Sequence, residues 1–358
     1  MVSLFSPISI KSMNLRNRVV FPPIATNYGL RNDRAYHYYT ERARGGAGLV
    51  ILQGTPIELL TSSKWIVALK PVVNSVHAQG AAIGIQLWTG NELPDGDKVA
   101  PSPRPGYREV SAAELKTIAK RFSLAARAAR DIGFDTIDVH GAHGYFLHQF
   151  FSPLTNQRKD NLGGSLKKRI VFPLMCVRAI RAEVGETFPI MYRLSAVELA
   201  PGGIALEDSI FFSQELAQAG VDIIDVSAGG QLDGLNITSP DAKQPLGTHA
   251  NLAGAIKQVV SVPVLAVGRF NNLEICEDVL KQGKADLIAV GRQLLADPYW
   301  PAKLQEGRQS EVVICNSCNK LCQGNYIKNK PIECVVNKEL GREYLRYENN
   351  NQQQENQK

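Results

Sequence analysis

The sequence predicts a closed (β/α)8 TIM barrel followed by a short cysteine-rich segment. Eight short aliphatic runs alternate with longer amphipathic stretches between residues 18 and 290 of a 358-residue chain. The runs are apolar at nearly every position, as strands covered on both faces must be. A strand followed each time by a helix, eight times over, favours a closed barrel over an open sheet.

In chain order the predicted strands are 18–21, 48–53, 82–87, 136–140, 189–194, 222–226, 263–267 and 286–290. Between them residues 114–131 carry Leu115, Ile118, Phe122, Ala125 and Ala129 at helical spacing. Residues 165–183, 207–219 and 252–260 read the same way. Glycines follow several strands at the end where barrel sites form: Gly141 after the fourth, Gly229 and Gly230 after the sixth, Gly268 after the seventh, Gly291 after the eighth. Each alone could merely turn the chain; together they point to close backbone approach to a ligand. The expected units are a barrel over 1–310, a cysteine-rich segment over 311–347, and a disordered Asn/Gln-rich tail over 348–358.

Composition excludes other classes. Forty Lys plus Arg against 34 Asp plus Glu leave a net charge of +6. That excess is scattered, so nucleic acid is not an expected partner. No apolar run reaches the roughly 18 residues of a membrane span, and the N-terminus lacks the pattern of a secretory leader, so a cytoplasmic protein is expected. Neither a Gly-x-Gly-x-x-Gly nor a Gly-x-x-x-x-Gly-Lys-Ser/Thr element occurs, which removes support for a Rossmann domain or a P-loop.

The densest chemical signal is Asp-Val-His-Gly-Ala-His-Gly-Tyr at 138–145, leaving the fourth strand. His140 and His143 offer imidazole N–H groups that can polarise a carbonyl or nitro oxygen as charge develops on it. Tyr145 offers a phenol for proton delivery. A lone histidine here would be an ordinary strand cap, and zinc is the rival chemistry, without a third ligand at a recognisable spacing. Four of the six cysteines, Cys315, Cys318, Cys322 and Cys334, crowd into twenty residues. Such clustering in a large chain without a leader indicates metal binding, by an iron–sulfur cluster or a tetrahedral zinc, rather than a disulfide scaffold. Cys176 and Cys276 lie in helix-like stretches and are expected to be buried small residues.

The chain resembles the old yellow enzyme family of FMN-dependent NADH:flavin oxidoreductases. The motifs that carry the likeness are Asn-Arg-Val-Val-Phe-Pro-Pro-Ile-Ala-Thr-Asn (17–27), Gly-Ile-Gln-Leu-Trp (84–88), His-Gly-Ala-His-Gly-Tyr (140–145), Phe-Phe-Ser-Pro-Leu-Thr-Asn-Gln-Arg (150–158) and Gly-Arg-Gln-Leu-Leu-Ala-Asp-Pro (291–298). The resemblance implies that Pro22, Pro23, Ile24 and Ala25 pass beneath the flavin and that Gly54 and Gln86 meet its ring edge. It places Arg193 near the N1–C2 side and makes Gly268, Gly291 and Arg292 the phosphate grip. His140 and His143 match the pair that holds the substrate oxygen, and Tyr145 the proton donor. The physics agrees: backbone N–H groups and a guanidinium suit a dianionic phosphate, a cation suits a reduced flavin, and an amide suits a pyrimidine edge.

The cysteine spacing resembles that of the multidomain branch with 2,4-dienoyl-CoA reductase, which implies a 4Fe–4S cluster; zinc and an unoccupied remnant stay open. The chain departs from the family in three places. Residues 28–36 are short, Trp88-Thr89-Gly90-Asn91 replaces a His-Ala-Gly-Arg-like run, and Leu162-Gly163-Gly164 replaces Tyr-Gly-Gly. The expected reaction is NAD(P)H-driven reduction of an activated C=C bond in a small enone-like substrate. The rivals are an electron-transfer subunit served by a separate reductase, acting on an enoyl thioester or amine, and a catalytically silent flavin-binding regulator. Association into a homo-oligomer is left open.

Overall fold

The computed structural model describes residues 2–346 except 231, 232 and 234–237. The tail expected to be disordered, 348–358, lies outside the described residues. The eight barrel strands are β1 (Val19–Phe21), β2 (Leu49–Pro56), β3 (Ala82–Trp88), β4 (Thr136–Gly141), β5 (Ile190–Ser195), β6 (Ile223–Ser227), β7 (Val264–Ala266) and β8 (Leu287–Ala289). All neighbours are parallel, in sequence order, and β8 closes the ring on β1 through Ile288 opposite Val19. Every predicted strand is present. β2 runs past its predicted end to Pro56 because its register with β3 shifts between Leu52 and Thr55, which lets the chain resume pairing beyond the irregularity.

One helix follows each strand: α1 (Asp33–Arg44), α2 (Ser63–Ala78), α3 (Ala112–Ile132), α4 (Val171–Val184), α5 (Leu206–Gln218), α6 (Ala250–Lys257), α7 (Leu273–Lys281) and α8 (Arg292–Ala296). Their starts are written locally. Asn32 caps α1 by accepting from the Ala35 N–H, Asn272 caps α7 from Ile275, and Ser111 with Glu114 forms a capping box on α3. α3 stops at Gly133, whose φ of 110° suits a residue without Cβ. Its predicted stripe, Leu115 to Ala129, is buried, and each large side chain there contributes roughly 1.5–3 kcal/mol. The predicted helix 165–183 divides into Leu166–Arg169 and α4, with Ile170 between them. Cys176 and Cys276 are both buried, as expected.

The barrel interior is apolar at its floor. A hairpin that pairs Ile8–Ile10 with Met13–Leu15 packs Ile10, Met13 and Leu15 against Val20, Ile51 and Met191 from the strands. The Ser12 N–H reaches the Thr187 carbonyl, just ahead of β5, so the hairpin closes the N-terminal end of the ring. At the other end the chain after 311 folds back across the mouth. It is held by a Tyr28 hydroxyl bond to the Ile332 carbonyl (2.6 Å), an Asn337 bond to the Leu295 carbonyl (2.8 Å) and a buried Arg42–Glu343 ion pair (2.6 Å). Among the described residues no helix is long and apolar enough to cross a membrane.

Candidate active site

The strands point their C-terminal ends into one cavity of about 550 Å³. Thirteen residues singled out in the sequence reach it: Pro22 to Ala25 after β1, Gly54 and Gln86 on β2 and β3, His140 on β4 with His143 and Tyr145 after it, Arg193 on β5, and Gly268, Gly291 and Arg292 after β7 and β8. Strand polarity brings these distant positions together, since successive parallel strands deliver their ends to the same face.

The backbone makes room at three of them. A Cβ at Gly54 would lie 3.3 Å from Gln86 Oε1 and from the Trp88 ring. One at Gly291 would press on Pro22 at 3.3 Å. Gly268 has φ +129°, and a Cβ there would approach the His249 backbone nitrogen to 2.9 Å. Gly141 behaves otherwise. It lies within β4 and yields its space to the buried Tyr192 phenol, so its small size serves packing rather than a ligand.

The turn after β4 is set by two successive left-handed residues, His143 (φ 59°) and Gly144 (φ 78°). Such a conformation is uncommon for a histidine and is tolerated where surrounding contacts fix it. Here the Ser195 hydroxyl accepts from the His143 backbone N–H at 3.1 Å, and the ring Nε2 meets the Ser227 hydroxyl at 2.8 Å. The His140 and His143 rings stand 5.3 Å apart, and the His140 and Tyr145 rings 4.5 Å. Burial, reinforced by the charge of Arg193, holds both imidazoles well below their usual pKa. They are therefore neutral at pH 7, each with one N–H to donate. His140 Nδ1 has no hydrogen-bond partner among the described residues. Burial raises the Tyr145 phenol, which keeps its proton.

Beneath this layer lies a polar network that sequence reading missed. Gln86 Nε2 donates to Asp138 Oδ2 (2.7 Å), and Arg193 Nη1 donates to Asp225 Oδ2 (2.9 Å), with both carboxylates fully buried. Arg193 is thus ion-paired and at the cavity wall at once, and its Nε is unpartnered among the described residues. Burial and the charge of Asp225 raise Asp138 to about 8.

Two further cavity residues escaped the sequence reading. Arg269 follows Gly268 as Arg292 follows Gly291, and Ala-Val-Gly-Arg recurs at 266–269 and 289–292, a repeat that could have revealed it. Both arginines reach the cysteine segment: Arg269 Nε bonds Ser317 (3.2 Å) and Arg292 Nη1 bonds Asn319 (2.5 Å). Arg292 Nη2 donates to the Pro240 carbonyl (2.6 Å), so two of its donors are held by protein. The second is Tyr326, on the short helix Gln323–Ile327.

Cys315 and Cys322 line the cavity, and together with Cys318 they lie within electrostatic reach of Arg292. Among the described residues, however, no three His, Cys, Asp or Glu side chains converge closely enough to hold a metal ion.

The geometry has known counterparts. Residues 3–311 match the model of the NADH:flavin oxidoreductase / NADH oxidase family. The chain is 39% identical over 369 aligned residues to an NADH oxidase of Thermoanaerobacter brockii, covering 95% of this chain and 56% of that protein. It is 36% identical to an NADPH dehydrogenase of Listeria monocytogenes, covering 84% of this chain and 93% of that one. Among solved structures, a 2-naphthoyl-CoA reductase complexed with 2-naphthoyl-CoA superposes with a TM-score of 0.90 at 26% identity, over 96% of this chain and 58% of its own. The chain thus spans a little over half of the longer relatives and nearly all of the shorter. On the match over almost the whole barrel and on these relatives, the chain belongs to the NADH:flavin oxidoreductase / NADH oxidase family of enzymes.

Proposed function

We propose that the chain binds FMN and uses NAD(P)H to reduce the C=C bond of a small carbonyl-conjugated substrate. The observation that supports this most is the convergence of a neutral histidine pair and a protonated phenol on a cavity whose glycines leave room for a flat ligand. The residues present fit FMN. Gly268, Gly291, Arg292 and Arg269 would take its phosphate, Pro22 to Ala25, Gly54 and Gln86 its ring, and the unpartnered Arg193 Nε its electron-rich side. Bound FMN would supply the hydride-transfer chemistry between NAD(P)H and the β-carbon.

The chain's own residues do the rest. His140 and His143 donate N–H bonds to the carbonyl oxygen, where negative charge grows most in the transition state. Tyr145 gives its phenolic proton to the α-carbon, so hydride and proton together complete the new C–H bonds. Residues 1–310 form the catalytic unit in this reading, and 311–347 its cap.

For the cysteines we propose a 4Fe–4S cluster, supported by their spacing. Among the described residues no three of these thiols stand close enough together to hold a metal ion. The electron-transfer reading, with a separate reductase and an enoyl thioester or amine substrate, draws support from one observation: the fold superposes on a reductase whose complex holds a thioester, 2-naphthoyl-CoA.

The purified protein should be yellow, bleach with NADPH or NADH, and recover with cyclohexenone. Bleaching only with a partner protein would transfer support to the electron-transfer reading. About four irons per chain after anaerobic purification would support the cluster, and one zinc would remove it.

A further inference from the structure

The loop after β3, one of the places where the chain departs from its family, is tied to the turn after β4 by a pair of side-chain amides. Asn91 Nδ2 donates to Gln149 Oε1 at 2.9 Å, and Gln149 Nε2 donates back to Asn91 Oδ1 at 2.8 Å. Each amide nitrogen has a second proton, and each of these is also bonded. Asn91 Nδ2 donates to the Val99 carbonyl (2.7 Å), and Gln149 Nε2 to the Gly144 carbonyl (2.8 Å). All four N–H donors of the pair are thus satisfied, with Gln149 buried. The Val99 N–H bonds the Asn91 carbonyl at 2.7 Å, which fixes Asn91 on its own loop.

We infer that Gln149 and, acting through it, Asn91 are positioning residues of the proposed reaction: together they hold the turn that carries His143 and Tyr145. Gly144 is the second of the two left-handed residues, and its carbonyl is the one that the Gln149 side chain bonds. The Gln149 backbone N–H meets the Tyr145 carbonyl at 2.9 Å, at the start of the short helix Phe146–Phe151. One buried residue therefore holds the two carbonyls that flank the Tyr145 Cα. From the other side the Ser195 hydroxyl takes the His143 N–H at 3.1 Å. Trp88, at the start of the loop that carries Asn91, meets the Tyr145 ring edge-on at 5.2 Å. An uncommon backbone conformation persists when its surroundings over-determine it, and these bonds do so from three strands. Neither Asn91 nor Gln149 lines the cavity, so both act on a ligand there only by placing the imidazole and the phenol.

This inference rests on the proposed roles of His143 and Tyr145. The experiment uses the FMN-loaded enzyme and compares Gln149→Met, Asn91→Ala and the double variant with the parent in two measurements. Hydrogen exchange of the His143 amide reports whether the turn is held. Gln149→Met, which keeps the length of the side chain without its donors, should accelerate that exchange about tenfold, the loss of one to two hydrogen bonds. Asn91→Ala should accelerate it less, and should add nothing once residue 149 is changed, because Asn91 acts through that amide. In the second measurement p-cresol binding is followed by perturbation of the flavin spectrum. Its affinity should fall about fivefold in Gln149→Met, the loss of one N–H bond to the phenolic oxygen, while FMN affinity stays at the parent value. His143 exchange at the parent rate in Gln149→Met, p-cresol affinity at the parent value there, or additive effects in the double variant would each overturn the inference. If Gln149→Met does not fold, Asn91→Ala decides alone, and parental values of both readouts would overturn it. Absence of alkene turnover in the parent would instead count against the proposed reaction, because neither readout depends on turnover.

Discussion

Removing the Glu343 carboxylate should release the C-terminal segment from the barrel while leaving the barrel folded. Arg42 and Glu343 are 0% and 3% exposed at their side chains and meet at 2.6 Å. The guanidinium also lies over the Tyr38 ring at 3.9 Å and donates to the Tyr38 carbonyl, and among the described residues Glu343 is the carboxylate that pairs with it. Taking one partner from such a pair leaves a buried charge alone, at a cost of about 3–5 kcal/mol. In this protein the cost has an outlet, because the segment can lift and let water reach Arg42. The penalty is then read as local opening, and at tenfold per 1.4 kcal/mol, ~3 kcal/mol is an opening equilibrium about a hundredfold larger. Hydrogen exchange of the Ile332 amide, bonded to Thr26, reports it directly. Glu343→Ala should accelerate that exchange about a hundredfold, while amides of β3 and β4 keep their protection. The double variant Arg42→Met/Glu343→Leu should recover most of the loss, since an apolar pair needs no charge balance. Ile332 exchange at the parent rate in Glu343→Ala would refute the reasoning and leave the ion pair without a docking role.

Three further outcomes follow from the site. Asp138 is raised to about 8, so the folded chain keeps a proton that the unfolded chain releases above pH ~4; its stabilising contribution is full below that and is lost as pH rises to about 8. Asp138→Asn, which keeps an acceptor for Gln86, should flatten this decline in urea melts across pH 4–8, and an unaltered slope would remove Asp138 as its source. Gly268→Ala forces a side chain into φ +129° and to 2.9 Å from the His249 nitrogen, so FMN affinity in fluorescence titration should fall at least about tenfold; parental affinity would exclude a close backbone approach there. Tyr145→Phe should leave flavin reduction nearly unchanged in stopped flow and slow alkene reduction by roughly two or more orders of magnitude, and an unchanged oxidative half-reaction would remove Tyr145 from the mechanism.

The barrel was legible because strands buried on both faces leave unbroken apolar runs, and all eight appear where those runs lie. The N-terminal hairpin was not, since two three-residue strands are too short for periodicity to register. Gln86 could be recognised as a polar residue on an apolar strand, whereas Asp138 and Asp225 could not be seen as neighbours of one interior network. Their closeness comes from barrel closure, which no local pattern encodes. Tyr326 was hidden for a similar reason: the return of the chain over residues 26–28 brings it to the cavity that Tyr145 also lines. The cysteine spacing was plain, yet spacing does not dictate where four thiols come to rest.

The hairpin at the floor has a kinetic corollary. Ile10, Met13 and Leu15 pack into the N-terminal end of the ring, and the cavity lies at the other end, among residues at and beyond the C-terminal ends of the strands. On the proposed reaction, NAD(P)H and the alkene would both enter from that end and occupy it by turns. Such an arrangement gives parallel lines in double-reciprocal plots and makes an excess of either reactant an inhibitor of the other. On that reading, six residues at the far end of the barrel, in contact with neither reactant, would bear on the form of the rate law.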